Sequence, residues 1–394
     1  MFIPSTHKRP VKAALLQVHS LIGLAVGLVL SLIGLTGAIM SFEDEIGNAL
    51  NAGIMQVEPR QAPRLTPEQL VARLQSTPEL GKVSGLTMSI DASAATRIRF
   101  ARDDDGARPA SIYVDPYDGR VLGAPRGEQF FATVRQLHRW LLIPGDGKGY
   151  GRQITGIAAI GLAVLLISGL VLRWPRRARS IRTWLKPNLA LQGRSFHWSL
   201  HSVVATWLLP IYLVMALTGL WYSFDGYRDA ATWLLARPLV AETRMKPKGA
   251  MRDRPGDAAP PSLDRAWSVF LREQGHRYER AQLQLPNGAG TIVRIRSWVR
   301  NAGDEGRDEL RIDAASGRLV SAEIYADKTL GERVLARVLD IHRGSILGWP
   351  GKLLFMLAAA LMPLFMVTGF LLYLSRRKLR PQKRPAIGRL VPGE

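Results

Sequence analysis

The stretch from Leu15 to Met40 reads LLQVHSLIGLAVGLVLSLIGLTGAIM, and it decides the class of fold. It carries no Asp, Glu, Lys or Arg, and as a helix rising 1.5 Å per residue it is long enough to cross a hydrocarbon core of ~30 Å. The apolar centre of a cleaved signal is only about 7 to 15 residues long, and Ser41-Phe42-Glu43-Asp44-Glu45 lacks a small-residue cleavage pattern, so the segment is expected to stay as an anchor. Three more long apolar runs follow, Ile154 to Leu172, Ser202 to Tyr222 and Lys352 to Leu374, the last with a single lysine at its start. The sequence therefore predicts an integral membrane α-helical protein with four transmembrane helices and two polar stretches of domain size between them.

Lysine and arginine in the short flanks set the expected orientation. Lys8, Arg9 and Lys12 precede the first run. Arg173, Arg176, Arg177, Arg179, Arg182, Lys186 and Arg194 fill the link between the second and third, and Arg376, Arg377, Lys378 and Arg380 follow the fourth. Both termini and the link are expected in the cytoplasm, with the polar stretches and Glu43, Asp44 and Glu45 on the far side, the periplasm of a bacterial inner membrane. Much of the net charge of +21 lies in these flanks, where anionic lipid heads attract it, so membrane lipids are the expected partner and nucleic acid is not. The absence of cysteine excludes disulfides, cysteine-ligated iron–sulfur clusters and thioether-linked haem.

The chain also resembles itself. Leu35-Thr36-Gly37-Ala38-Ile39-Met40-Ser41-Phe42 aligns without gaps on Leu217-Thr218-Gly219-Leu220-Trp221-Tyr222-Ser223-Phe224. Arg97-Ile98-Arg99 matches Arg294-Ile295-Arg296, and Asp115-Pro116-Tyr117-Asp118-Gly119-Arg120 matches Asp313-Ala314-Ala315-Ser316-Gly317-Arg318. Gly151-Arg152 and Ser168-Gly169 match Gly351-Lys352 and Thr368-Gly369. The unit is helix, polar domain, helix, used twice. The expected division is a cytoplasmic N-terminus 1–14, helix 15–42, periplasmic domain 43–137, periplasmic His segment and helix 138–174, and cytoplasmic loop 175–196. Helix 197–224, periplasmic domain 225–340, His segment and helix 341–375, and cytoplasmic tail 376–394 complete it.

Each polar stretch reads as a small α+β domain. Thr66 is a helix cap ahead of Pro67, with Leu70, Val71 and Leu74 on one face. Thr96 to Ala101, Ser111 to Asp115, Thr291 to Trp298 and Glu309 to Asp313 alternate as strands, with turns at Asp118-Gly119 and Ser316-Gly317.

Of the seven histidines, four fall at matched places in the repeat. His19 and His201 begin the first and third helices at the cytoplasmic face; His138 and His342, each followed by Arg139 or Arg343, precede the second and fourth at the periplasmic face. Two neutral imidazoles on facing helices form the usual axial set of a low-spin electron-transfer haem, so the pairing predicts two haems of b type, one at each face. Gly23 and Gly27 share the face of His19 and read either as room for a flat macrocycle or as ordinary helix packing. Arg139, Arg343, Arg152 and Lys352 are candidates for meeting propionates. His197 lies one turn before His201, so spacing alone leaves either as ligand, and the repeat favours His201. His7 and His276 read as solvated. No Gly-x-Gly-x-x-Gly follows a strand, so any electron donor is external, a quinol or a cytoplasmic reductase.

At these residues the chain resembles a known family. His19-x-x-x-Gly23-Leu24 leading to Leu35-Thr36-Gly37, the segment Leu137-His138-Arg139-Trp140, and His201 leading to Leu217-Thr218-Gly219 are similar to the PepSY-associated transmembrane family, and the polar domains look like its PepSY modules. The chain departs from the pattern at Ala205, where the family often has glycine four residues after the histidine. The resemblance implies an enzyme, a haem-containing inner-membrane reductase that takes ferric siderophore as substrate and releases ferrous iron into the periplasm. Two other functions stand beside it, a non-redox membrane protein whose modules bind a peptide or modulate a peptidase, and a siderophore transporter. The last needs a polar path through the helices, for which Ser31, Ser168, Thr206 and Thr218 are few.

Overall fold

The computed structural model describes residues 8–75, 80–101, 111–145, 147–174, 184–236, 260–275, 277–286, 288, 290–299 and 306–378. His7, His276, Arg176, Arg177, Arg179, Arg182 and Arg380 lie outside the described residues. In chain order the helices are α1 (Lys8–Met40), α2 (Glu43–Met55), α3 (Pro67–Gln75), α4 (Glu128–Trp140), α5 (Tyr150–Arg173) and α6 (Gly193–Ser223). They continue as α7 (Asp225–Leu235), α8 (Leu263–Gln274), α9 (Leu330–Ala336), α10 (Val338–Arg343), α11 (Gly348–Ala360) and α12 (Met362–Lys378). The strands are β1 (Val83–Ser89), β2 (Thr96–Phe100), β3 (Ser111–Val114), β4 (Val121–Gly123), β5 (Tyr278–Gln284), β6 (Ile292–Val299), β7 (Arg307–Asp313) and β8 (Leu319–Glu323). They form two compact units, one of Met1–Ser41, Thr133–Arg228 and Ile341–Glu394, the other of Phe42–Ala132 and Asp229–Asp340.

Four spans among the described residues are long and apolar enough to cross a membrane, Val11–Met55, Tyr150–Arg173, Gly193–Ser223 and Ser345–Arg377, and all but the end of the first belong to the first unit. α1 packs on α5, α5 on α6, α6 on α12 and α12 on α1, which closes a four-helix ring. Leu30, Leu162, Val204, Leu208, Tyr212 and Met362 fill its centre. Leu21, Leu28, Ile157, Ile167 and Val367 point outward and exposed, as side chains facing lipid do. Small residues let the backbones close up: a Cβ on Gly34 would stand 2.6 Å from Met362 Cβ, and one on Gly156 2.7 Å from the Phe224 ring.

The third helix starts at Gly193, well ahead of its apolar run, so His197 and His201 share one continuous helix. The fourth span, expected as a single helix, is broken between α11 and α12. Pro363 has no N–H to donate and its ring crowds the preceding turn, so Leu361 N–H tightens onto Leu357 O and Ala358 O, both at 3.1 Å. Tyr212 Oη–H donates to Ala358 O at 2.7 Å and completes that carbonyl in the core of the ring.

In the second unit the two polar stretches, each read as a small domain, share one sheet. All eight strands form one antiparallel sheet in the order β4-β3-β2-β1-β5-β6-β7-β8. The two halves of the chain join along β1 and β5, with Leu86 opposite Leu283 and Thr87 opposite Gln282. Each half supplies four strands and one helix, α3 or α8. Leu70, Leu74, Phe270, Ile98, Ile295 and Leu310 bury one face of the sheet against these helices. The alternation of β2 and β6 leaves the opposite face polar. Gly119 and Gly317 adopt φ of 74° and 72° in matching turns, a left-handed conformation that glycine takes without strain.

The two helices cap one another. Thr66 accepts from Gln69 N–H in α3 and Ser262 accepts from Arg265 N–H in α8, each at 3.3 Å. Then Thr66 Oγ1–H and Glu68 N–H donate to Asp264 at 2.7 and 3.0 Å, while Ser262 Oγ–H and Asp264 N–H donate to Glu68 at 2.5 and 3.3 Å. Each carboxylate thus serves the N-terminus of the other half's helix, where the helix dipole also favours it. Asp264→Ala is expected to lower the stability of this unit by about 1–2 kcal/mol, read as a lower thermal midpoint of the purified chain, with Glu68→Ala costing a similar amount and the double variant less than the sum because the caps share partners.

Candidate functional site

The four repeat-matched histidines form two pairs. His19 and His201 lie with ring centroids 6.5 Å apart and planes at 72°; His138 and His342 lie 6.4 Å apart at 74°. Two imidazoles bound through Nε2 to one metal at ~2.0 Å would have centroids up to about 6.3 Å apart, so the rings of either pair are close enough to hold one ion between them.

What holds the rings is the same at all four positions. His19 Nδ1 lies 2.8 Å from Ser168 Oγ, His201 Nδ1 2.8 Å from Thr368 Oγ1, His342 Nδ1 2.7 Å from Thr218 Oγ1 and His138 Nδ1 3.0 Å from Thr36 Oγ1. Each hydroxyl already donates its proton one turn back in its own helix, Ser168 to Val164 O, Thr368 to Leu364 O, Thr218 to Val214 O and Thr36 to Leu32 O, at 2.6–2.7 Å. With that proton committed, the oxygen faces the imidazole as an acceptor, so Nδ1 carries the hydrogen. At His138 a second acceptor, Ile33 O at 2.9 Å, requires the same. The tautomer is therefore fixed as Nδ1–H, which leaves the Nε2 lone pair available to a ligand. Burial also holds His138 and His342 well below the ordinary imidazole range, at about 4 and about 3, so both are neutral at pH 7.

The residue after each hydroxyl is glycine, and it faces the same ring. A Cβ on Gly37 would stand 3.1 Å from His138 Cε1, on Gly169 3.3 Å from His19 Cε1, on Gly369 3.7 Å from His201 Cε1 and on Gly219 3.9 Å from His342 Cε1. Each histidine thus sits on a hydroxyl–glycine step of a neighbouring helix. α1 carries His19 and the step for His138; α6 carries His201 and the step for His342. In both helices histidine and hydroxyl are 17 positions apart, which places the two pairs about 25 Å apart along the helix axes.

The chain matches the PepSY-associated TM region over residues 16–376. It belongs to that family. No curated protein sequence matches it.

In this member of the PepSY-associated TM family, Gly23 and Gly27 line an apolar cavity together with His19, Gly169, His201 and Gly369. Ala205, where the chain departs from the family pattern, faces the same cavity with a small side chain. His197 is not among its lining residues; its ring meets Phe196 edge-on at 5.6 Å. Near the second pair, the Arg139 guanidinium lies 6.0 Å from the Tyr222 ring, which itself stands 6.3 Å from His342, and Arg343 reaches Ser41 O at 3.5 Å. Arg152 is turned to Asp225 at 2.8 Å and Tyr222 O at 3.0 Å, and Lys352 is buried.

Two cations escaped the sequence reading as parts of a site. Arg173 and Arg376 both line the cavity of His19 and His201, with Arg173 5.1 Å from the Trp198 ring and Arg376 donating to Ser20 Oγ at 2.8 Å. Among the described residues no three His, Cys, Asp or Glu side chains gather around one point, so an ion held by either pair takes its remaining ligands from elsewhere. A porphyrin, which brings four nitrogens, would supply them, and the imidazole pairs with their neighbouring glycines are the residues that would hold it.

The glycines differ in how much space they leave. Gly37→Val is expected to push His138 from its place, whereas Gly219→Ala, whose Cβ meets only an ordinary contact, leaves His342 where it is; structures of the two variants distinguish them.

Proposed function

We propose that the chain is a ferric-siderophore reductase of the bacterial inner membrane, holding two b-type haems and passing electrons across the membrane to a ferric siderophore in the periplasm. The observation that carries this reading is the common setting of the four histidines: two pairs with ring centroids 6.5 and 6.4 Å apart, every ring held through Nδ1 with Nε2 left free. Bound between such imidazoles, haem supplies a one-electron couple.

The residues of the chain divide the remaining work. His19 and His201 serve the cytoplasmic face and His138 and His342 the periplasmic face, in the orientation the basic flanks predict. Arg173 and Arg376 suit the propionate carboxylates of the first site by charge-assisted hydrogen bonds, and Arg139 and Arg343 those of the second. The helix–domain–helix repeat gives the logic of the layout, since one unit used twice places equivalent ligands at both faces. Electrons come from a quinol or a cytoplasmic reductase. Reduction releases the metal because hard oxygen chelators hold iron(II) much more weakly than iron(III).

A transport route finds less support. Ser31, Ser168 and Thr218 donate to carbonyls of their own helices at 2.6–2.7 Å and Thr206 does so at 2.8 Å, so these hydroxyls are already spent along the helices. The deciding measurement is a reduced-minus-oxidised spectrum of the purified chain. Bands of b type at two haems per chain are expected. Their absence after reconstitution with haem would sink the reading and favour a non-redox binding role.

A further inference from the structure

The polar face of the eight-stranded sheet concentrates arginine beyond what its carboxylates balance. Across one row of the sheet, Tyr113, Arg97, Thr87, Gln282, Arg296 and Glu309 are consecutive register partners. The next row runs Ser111, Arg99, Gly85, Gln284, Arg294 and Arg311. The first row ends on Glu323, the partner of Glu309 on β8, so among the described residues five arginines share this region with three carboxylates, Glu128, Glu309 and Glu323. Glu128 takes Arg97 at 2.7 Å, and Glu309 takes Arg296 at 2.8 Å and Arg311 at 3.2 Å with Arg294 at 3.9 Å.

The geometry gathers these charges round a low centre. Arg97 and Arg99 on β2 and Arg294 and Arg296 on β6 stand on either side of β1 and β5, about 14 Å apart at the backbone. Between them the side chains are short or absent at Thr87 and Gly85. Arg99 leans across that gap: a Cβ on Gly85 would lie 3.6 Å from its Nη2, and its guanidinium reaches the Gln282 side-chain amide, which accepts from it when the amide is turned over. Arg99 is drawn below the ordinary guanidinium range first by burial and then by the charges of Arg97 and Arg296. A half-buried set of guanidiniums that outnumbers its carboxylates favours a further anion, and guanidinium forks match carboxylates in pairs.

We propose that this face binds an anionic ferric chelate through its free carboxylates, with Arg97 and Arg99 on one side and Arg294 and Arg296 on the other. The identity of the anion as an iron chelate rests on the reductase reading; the preference for polycarboxylates over neutral hydroxamates does not.

The test uses the full-length chain in detergent and calorimetric titration with gallium(III) citrate, which mimics the ferric complex and is not reduced. Binding is expected, weakening steeply with salt, and a neutral gallium trihydroxamate is expected to bind at least 10-fold more weakly. Arg99→Gln with Arg296→Gln should weaken citrate-complex binding at least 10-fold. Thr87→Glu is the second variant, because it places a carboxylate among the arginines, supports the fold and occupies the same charges; it too should lose binding. Equal binding by the wild type and the folded Thr87→Glu variant overturns the proposal, as does a preference for the trihydroxamate. Displacement of the complex by phosphatidylglycerol vesicles would assign the face to lipid headgroups and overturn it as well. Retained gallium citrate binding in a chain without b-type bands would sink the reductase and leave the anion site standing.

Discussion

His201→Ala and His342→Ala are each expected to halve the haem content, from two to one per chain, and to abolish electron passage across the membrane. The loss of transfer should exceed the ~10–100-fold typical of removing an outer partner of a ligand, since here the ligand itself goes. Selectivity follows from distance: the pairs are about 25 Å apart along α1 and α6, so removing His201 leaves the His138 and His342 pair in place. Folding should survive. The hydroxyl left behind at Thr368 or Thr218 still donates to Leu364 O or Val214 O at 2.6 Å, so no orphaned donor is created in the helix ring. Pyridine haemochrome content and the rate of ferric-chelate reduction by proteoliposomes with an internal donor check both halves of the expectation. Two haems and an undiminished rate in either variant would remove that histidine from the ligand set. His197→Ala, on the same helix but away from the cavity, is the matched control and should keep both haems.

Much of this arrangement was legible because membranes impose coarse rules. A charge-free stretch as long as Leu15 to Met40 suits a bilayer and little else, and matching two halves of one sequence shows which histidines are equivalent without any coordinates. The seam of the sheet was not legible. In β1, Gly85 interrupts the alternation, and in β5 the inward positions Ala281 and Leu283 are flanked by Glu279, Arg280, Gln282 and Gln284, so neither stands out as a strand although they form the centre of the sheet. The break in the fourth helix depends on Pro363, a single residue inside an otherwise continuous apolar run. Arg173 and Arg376 were read for topology, where only their count matters; their direction into the cavity depends on side-chain geometry that composition does not encode. The hydroxyl–glycine steps were half visible. Thr36-Gly37 and Thr218-Gly219 stood out as repeated and small, but the role of the hydroxyl appears only once the histidine of another helix is seen against it.

That hydroxyl role makes the second large prediction. Thr218→Val keeps shape and volume while removing the acceptor of His342 Nδ1–H. A buried N–H is then left without its partner, at a cost of about 1–3 kcal/mol, and the ring loses what fixes its tautomer and orientation. Haem affinity at the His138 and His342 pair is expected to fall ~10–100-fold. In the haem that remains bound, the reduction potential should rise, because an imidazole that no longer donates from Nδ1 is a weaker base and stabilises the ferric form less. The four sites should not respond alike. Thr36→Val removes one of two acceptors at His138 and leaves Ile33 O at 2.9 Å, so its effect should be smaller than that of Thr218→Val. Ser31→Ala removes a buried hydroxyl that bonds only Gly27 O in its own helix, and should change neither affinity nor potential. A redox titration of the b-type band across these three variants orders them. Equal behaviour of Thr218→Val and Ser31→Ala would show that the hydroxyl only fills space, whereas the order Thr218→Val above Thr36→Val above Ser31→Ala follows from the hydrogen bonds each hydroxyl makes.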